Sequence, residues 1–87
     1  MISVMAPETA ADLLRIGRKA LAAADWERAS SCFERARHLG ETAEVLDGLG
    51  RAAHFQGEHL AAIELLERAF AAYSRRDERA EAAEVAR

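Results

Sequence analysis

The sequence predicts an all-α fold: two antiparallel helix pairs and a terminal fifth helix, coiling as a right-handed α-α superhelix. The first of three observations behind this is an internal repeat. Aligning 13–36 with 46–69, at a spacing of 33, gives eight identities in 24 positions. They are Leu13/Leu46, Gly17/Gly50, Arg18/Arg51, Ala20/Ala53, Ala29/Ala62, Glu34/Glu67, Arg35/Arg68 and Ala36/Ala69. A period of this length marks units that bury their apolar faces by stacking on one another. The second observation is periodicity. Leu13, Ile16, Ala20 and Ala24 recur at helical spacing, whereas β-branched residues are scarce and no alternating apolar run occurs. The third is the matched placement of small residues. Gly17, Ala20, Ala29 and Ala36 in one pair, and Gly50, Ala53, Ala62 and Ala69 in the other, leave no bulk where two helices approach. Glycine inside a helix costs up to ~1 kcal/mol against alanine, so its use at two matched sites implies close packing that offsets the cost.

Each element has its own signals. The first helix is expected over about 8–23, with Pro7 at its first turn. Asp25 caps a second helix, about 26–39, and Gly40 supplies a left-handed stop. Thr42 caps a third, about 43–56, which Gly57 ends. A fourth runs from about 58 to 75 or 76, and Asp77 caps a fifth that continues to the end. Connections this short force neighbouring helices to be antiparallel. The predicted core is Leu13, Ile16, Gly17, Ala20, Trp26, Ala29, Phe33 and Ala36, with Leu46, Leu49, Gly50, Ala53, Ala62, Leu66 and Ala69. Phe33 and Leu66 are expected to fill the space between successive pairs.

Composition narrows the classes. Eighty-seven residues make one small domain, and a chain this short buries only roughly 60% of its unfolded surface. Apolar content is 51%, much of it alanine, so the core is thin. Net charge is −3, and eleven of the twelve basic residues are Arg, spread along the chain rather than gathered in a nucleic-acid stripe. Cys32 stands alone, which excludes an internal disulfide and fits a reducing compartment. The leader Met1–Met5 is too short and lacks the charged start of a signal peptide. No apolar run approaches the ~18 residues of a membrane span. The expectation is a soluble cytoplasmic protein without membrane contact.

Leu13-x2-Ile16-Gly17-x2-Ala20 followed by Ala29-x3-Phe33-x2-Ala36 resembles the tetratricopeptide repeat, a helix–turn–helix unit of about 34 residues. Leu46-x2-Leu49-Gly50-x2-Ala53 followed by Ala62-x3-Leu66-x2-Ala69 resembles it again. Trp26 falls where the family often carries an aromatic, and His59 holds that place in the second unit. Ala20 and Ala53 replace the family's large aromatic, and its terminal proline is absent, with Glu41 and Ser74 near its place. The resemblance implies one repeat domain: repeat 1 at about 10–42, repeat 2 at about 43–76, and a terminal or partial third-repeat helix at 77–87. Ala83 and Ala86 continue the register of Gly50 and Ala53. That segment reads either as a cap or as the start of a longer array. A wider likeness, in Gly17-Arg18-x-Ala20-Leu21 and Ala62-Ile63-Glu64-Leu65-Leu66-Glu67-Arg68, is to the helical arrays of large bacterial transcription regulators with a LuxR-type helix-turn-helix. The 87 residues hold neither a DNA-reading helix nor a phosphate loop.

By the family's register the first helix of each pair lines a concave surface. That places Ala11, Leu14, Arg18, Leu21 and Ala22 beside Glu44, Asp47, Arg51, His54 and Phe55. Arg18 and Arg51 then stack and can hold a carboxylate through charge-assisted bonds. Arg51 also lies four residues after Asp47, the spacing of an ordinary solvated pair. Leu14 stands where the family's carboxylate clamp has Lys, which argues against that subtype. His38, His54 and His59 lack metal-ligand spacing, and Cys32 reads as a structural thiol. No nucleophile or phosphate-loop motif occurs. Catalytic, metal and cofactor roles are therefore not expected. The expected function is a non-enzymatic protein–protein interaction scaffold that takes a peptide or partner helix in its groove, as part of a longer protein and without direct nucleic-acid contact. The alternatives are an N-terminal sensing module of a bacterial helix-turn-helix regulator and a self-assembling oligomer unit. The latter rests on Leu14, Leu21 and the apolar leader.

Overall fold

The computed structural model describes residues 9–85, with side chains through Ala80. Among the described residues there are four helices and no strand: α1 (Ala10–Ala22), α2 (Trp26–Leu39), α3 (Ala43–Phe55) and α4 (His59–Val85). The first three begin on short polar caps. The side-chain oxygens of Thr9, Asp25 and Thr42 accept the backbone N–H of Asp12, Arg28 and Val45 at 3.1, 3.2 and 3.3 Å. Each such cap contributes about 1 kcal/mol by satisfying an orphan amide. α1 starts two residues later than expected because Thr9 takes the cap position. Pro7, the leader and Ala86 lie outside the described residues.

The turns ending α1 and α3 match bond for bond. Asp25 N–H reaches the Ala20 carbonyl at 2.8 Å, and Glu58 N–H reaches that of Ala53 at 2.9 Å. Ala24 N–H bonds the Leu21 carbonyl at 3.0 Å, and Gly57 N–H that of His54 at 3.1 Å. These are the two bonds of a Schellman stop, which needs one left-handed residue. Gly57 supplies it at φ 84°, and Ala24 supplies it at φ 62°. The two positions are one repeat apart, so the repeat extends to backbone conformation even where glycine has become alanine. Gly40 differs from expectation. Its φ of 166° is extended backbone rather than a left-handed stop. Its N–H closes α2 on the Ala36 and Arg37 carbonyls, and its own carbonyl accepts the Thr42 N–H at 3.1 Å across a tight three-residue turn into the α3 cap.

The expected fourth and fifth helices are one. α4 continues through Asp77 for 27 residues, so Asp77 is a helix-interior residue and not a cap. No glycine or proline separates 58–76 from 77–85, and Arg75-Arg76-Asp77-Glu78-Arg79 offers the backbone little to prefer over helix. Arg76 also holds this stretch against α3, since its guanidinium forks onto the Glu44 carboxylate at 2.8 and 2.9 Å.

Neighbouring helices run antiparallel. Along α2 and α3, Trp26 meets Phe55 and Phe33 meets Gly48. Along α3 and α4, Glu44, Asp47 and Gly50 meet Arg76, Tyr73 and Leu66. The core lies where α1, α2 and α3 converge. It comprises Leu13, Ala20, Ala29, Phe33, Ala36, Val45, Leu49 and Ala52, with Leu14, Leu21 and Leu65 packed at its edge. Phe33 is fully buried, with its ring against Gly17 of α1 and Gly48 of α3. Leu66 seats on Gly50 in the same way, yet remains 36% exposed because nothing among the described residues covers the far side of α4. Ile16 and Trp26 are likewise only half-buried. No described helix is long and apolar enough to cross a membrane.

Candidate functional site

A groove of about 470 Å³ opens between α1 and α3. Helical spacing builds both walls. Arg18, Leu21 and Ala22 share one face of α1, while Glu44, Asp47, Arg51 and Phe55 recur every three or four residues along α3. Phe33 of α2 and Gly48 form the floor. Gly48 has two consequences: without a side chain it admits the Phe33 ring and leaves the groove open above it.

The groove is electrically divided. Asp47 accepts from Arg51 Nε at 2.9 Å and from the Tyr73 hydroxyl at 3.4 Å. Glu44 is taken by Arg76 of α4. These hydrogen bonds, helped by the Arg76 and Arg18 charges, hold the Glu44 carboxyl below the usual carboxylate range. The Arg51 guanidinium is pushed up, first by its hydrogen bond to Asp47 and then by that carboxylate's charge. Burial, followed by the Asp47 and Glu44 charges, pushes the Tyr73 phenol up. Arg18 takes part in no ion pair among the described residues. Arg18 is therefore the cation with most capacity left for a ligand. Arg51 enters as one half of a pair.

The apolar end is fixed by an aromatic stack. Trp26 and Phe55 lie face to face, centroids 4.4 Å apart and planes 10° from parallel. Phe55 nevertheless remains 55% exposed. The His54 ring meets Phe55 at 5.3 Å and His59 at 5.9 Å, edge-on in both cases. Seven of the expected groove residues are brought together: Arg18, Leu21, Ala22, Glu44, Asp47, Arg51 and Phe55. Leu14 does not line the groove and packs instead against the core. Ala11 and His54 also fall outside the lining.

No local pattern points to Arg76 and Tyr73, whose partners stand 32 and 26 residues away. Nor does any connect Trp26 to Phe55. Gly48 lies only two residues before Gly50, a step that turns it to another face of α3, toward Phe33 rather than Leu66, so the repeat register does not single it out. Cys32 is buried, beside Phe33 in sequence. Among the described residues no three His, Cys, Asp or Glu side chains gather as a metal ion requires.

Compared with protein-family models, with curated proteins and with solved structures, the chain matches none.

Proposed function

We propose that the chain is a tetratricopeptide-like interaction module, and that the groove between α1 and α3 binds a peptide or partner helix carrying both an acidic and an apolar group. One observation carries the reading. One preformed groove presents both a guanidinium with no ion pair among the described residues, Arg18, and an exposed aromatic, Phe55, stacked on Trp26. Arginine and aromatic anchors are enriched among the few residues that dominate interface energies, where they sit in well-packed, desolvated pockets. Glu44 and Asp47 are occupied by Arg76 and Arg51, so they narrow the ligand rather than repel it. A uniformly acidic ligand gains little from this wall, whereas a mixed one gains at both ends. In this reading the two helix pairs stack as successive repeats, supported by the matched turns and by the seating of Phe33 on Gly17 and Leu66 on Gly50.

The test is a selection from a displayed random-peptide library against the folded chain. Enriched peptides should pair an acidic residue with an aromatic or leucine, and should lose most of their binding to a Phe55→Glu variant. Peptides that bind that variant as well as the parent would place the ligand elsewhere.

A further inference from the structure

The outer face of α4 is a second surface, separate from the groove. Leu60 is 85% exposed, Ile63 55%, Leu66 36% and Phe70 74%. One period earlier these positions are Glu27, Ser30, Phe33 and Arg37. Phe33 is fully buried there, because α3 lies over that side of α2. The second pair thus repeats the covered face of the first in more apolar form, with nothing over it among the described residues.

We propose that a second copy of this chain covers that face, through antiparallel pairing of α4 with α4. Two arguments choose this occupant over a head-to-tail copy. Head-to-tail stacking would set α1 of one copy on α4 of the next, as α3 sits on α2. The α3 residues involved include Val45, Gly48 and Ala52, all buried. Their counterparts on α1 are Asp12, Arg15 and Lys19. Even a Cβ at Gly48 would come within 2.5 Å of the Phe33 ring, so Arg15 has no room to seat Leu66 in that manner. Two charged residues would also face leucine and isoleucine.

The stripe is self-complementary instead. Leu60, Ile63, Glu67 and Phe70 follow the 3-4-3 spacing of a coiled-coil seam. A twofold axis near Leu65 sets Leu60 against Phe70 of the second copy and Ile63 against its Glu67. The Glu67 stem then lies along Ile63 with its carboxylate in water. Parallel pairing would set Glu67 on Glu67, a like-charge contact that the antiparallel form avoids. An isologous contact of this kind closes at two copies. The stripe offers on the order of 500 Å² per copy, below the ~800 Å² of a standard interface, so the dimer is weak.

Sedimentation equilibrium from micromolar to about 1 mM protein, the range in which so small an interface associates, tests the stoichiometry. Isotope-filtered NMR on a mixed labelled and unlabelled sample tests the geometry. Within one helix Leu60 and Phe70 are about 15 Å apart, so a cross-peak between their side chains is intermolecular. The expected result is association that stops at the dimer, shows the Leu60–Phe70 cross-peak, and weakens about tenfold or more in Leu60→Glu and in Phe70→Glu. Both positions are largely exposed, so circular dichroism should stay at the parental helicity. Arg18→Ala should leave the dimer unchanged, which separates this surface from the groove. A monomer throughout the range, growth past the dimer, absence of the cross-peak, or a dimer indifferent to Phe70→Glu would each overturn the proposal.

Discussion

A Cβ on Gly48 would stand 2.5 Å from the Phe33 ring, closer than real side-chain contacts come. Phe33 has no exposed surface and so no direction in which to retreat. Gly48→Ala should therefore destabilise the domain by ~1–3 kcal/mol through overpacking. Each kcal/mol lowers the melting temperature by ~4–8 °C in a domain of this size. Phe33→Ala, which empties the same site, should cost ~3–5 kcal/mol. A melting curve for Gly48→Ala that overlays the parent would mean that the ring is not held between α1 and α3.

Ala24→Gly should act in the opposite direction. Ala24 holds a left-handed φ of 62° in the turn where the matched position carries Gly57. A left-handed conformation costs a non-glycine residue ~1–2 kcal/mol, which glycine relieves at the expense of greater freedom in the unfolded chain. The net expectation is about 1 kcal/mol of added stability. Chemical denaturation measures it, and a midpoint below the parent would contradict the matched-turn description.

These two positions show how far the sequence reaches. The period of 33 located both turns and the seats of Phe33 on Gly17 and Leu66 on Gly50, because these depend on local spacing and on residue size, whereas the groove residues are expected only from the tetratricopeptide-like register. It did not separate Gly40, which is extended, from Ala24, which is left-handed, since residue type alone misleads when alanine accepts the strain. The break placed at Asp77 rested on its capping propensity. A continuous run of helix formers, held to α3 by Arg76, overrides that propensity. Long-range partners such as Tyr73 with Asp47 leave no local trace.

Asp77→Ala follows from that correction. As a cap, Asp77 would cost ~0.5–2 kcal/mol to lose. As an interior residue of α4, its replacement by the best helix former should raise stability by a few tenths of a kcal/mol. Thermal melting of the variant at or above the parental temperature is the expected outcome. A clear drop would restore the helix break.

Acid should loosen the clamp between α3 and α4. The Glu44 carboxyl is held below its usual range by the Arg76 hydrogen bonds. The Glu41 carboxyl is held down by its hydrogen bond from Arg37, with Arg68 adding charge. A depressed folded-state pKa gives stability that is present above the ordinary carboxylate range near 4.5 and is lost as pH falls through the folded value. Both pairs are partly solvated, so the effect is small. Stability should fall below about pH 4.5, and Glu44→Gln should flatten part of that slope. A variant with an unaltered pH profile would remove Glu44 from the clamp.

The groove itself is tested most directly by amide chemical shifts. The folded chain, uniformly labelled, is titrated with a selected peptide that contains one acidic and one aromatic residue. Binding in the groove should move the amides of Arg18, Leu21, Ala22, Asp47, Gly48, Arg51 and Phe55 while those on the outer face of α4 stay in place. Arg18→Ala combined with Arg51→Ala should weaken the binding and reduce its salt dependence with helicity intact. Shifts confined to Leu60, Ile63 and Phe70, or binding by the double variant equal to the parent's at low salt, would contradict a groove that recognises its ligand through Arg18 and Phe55.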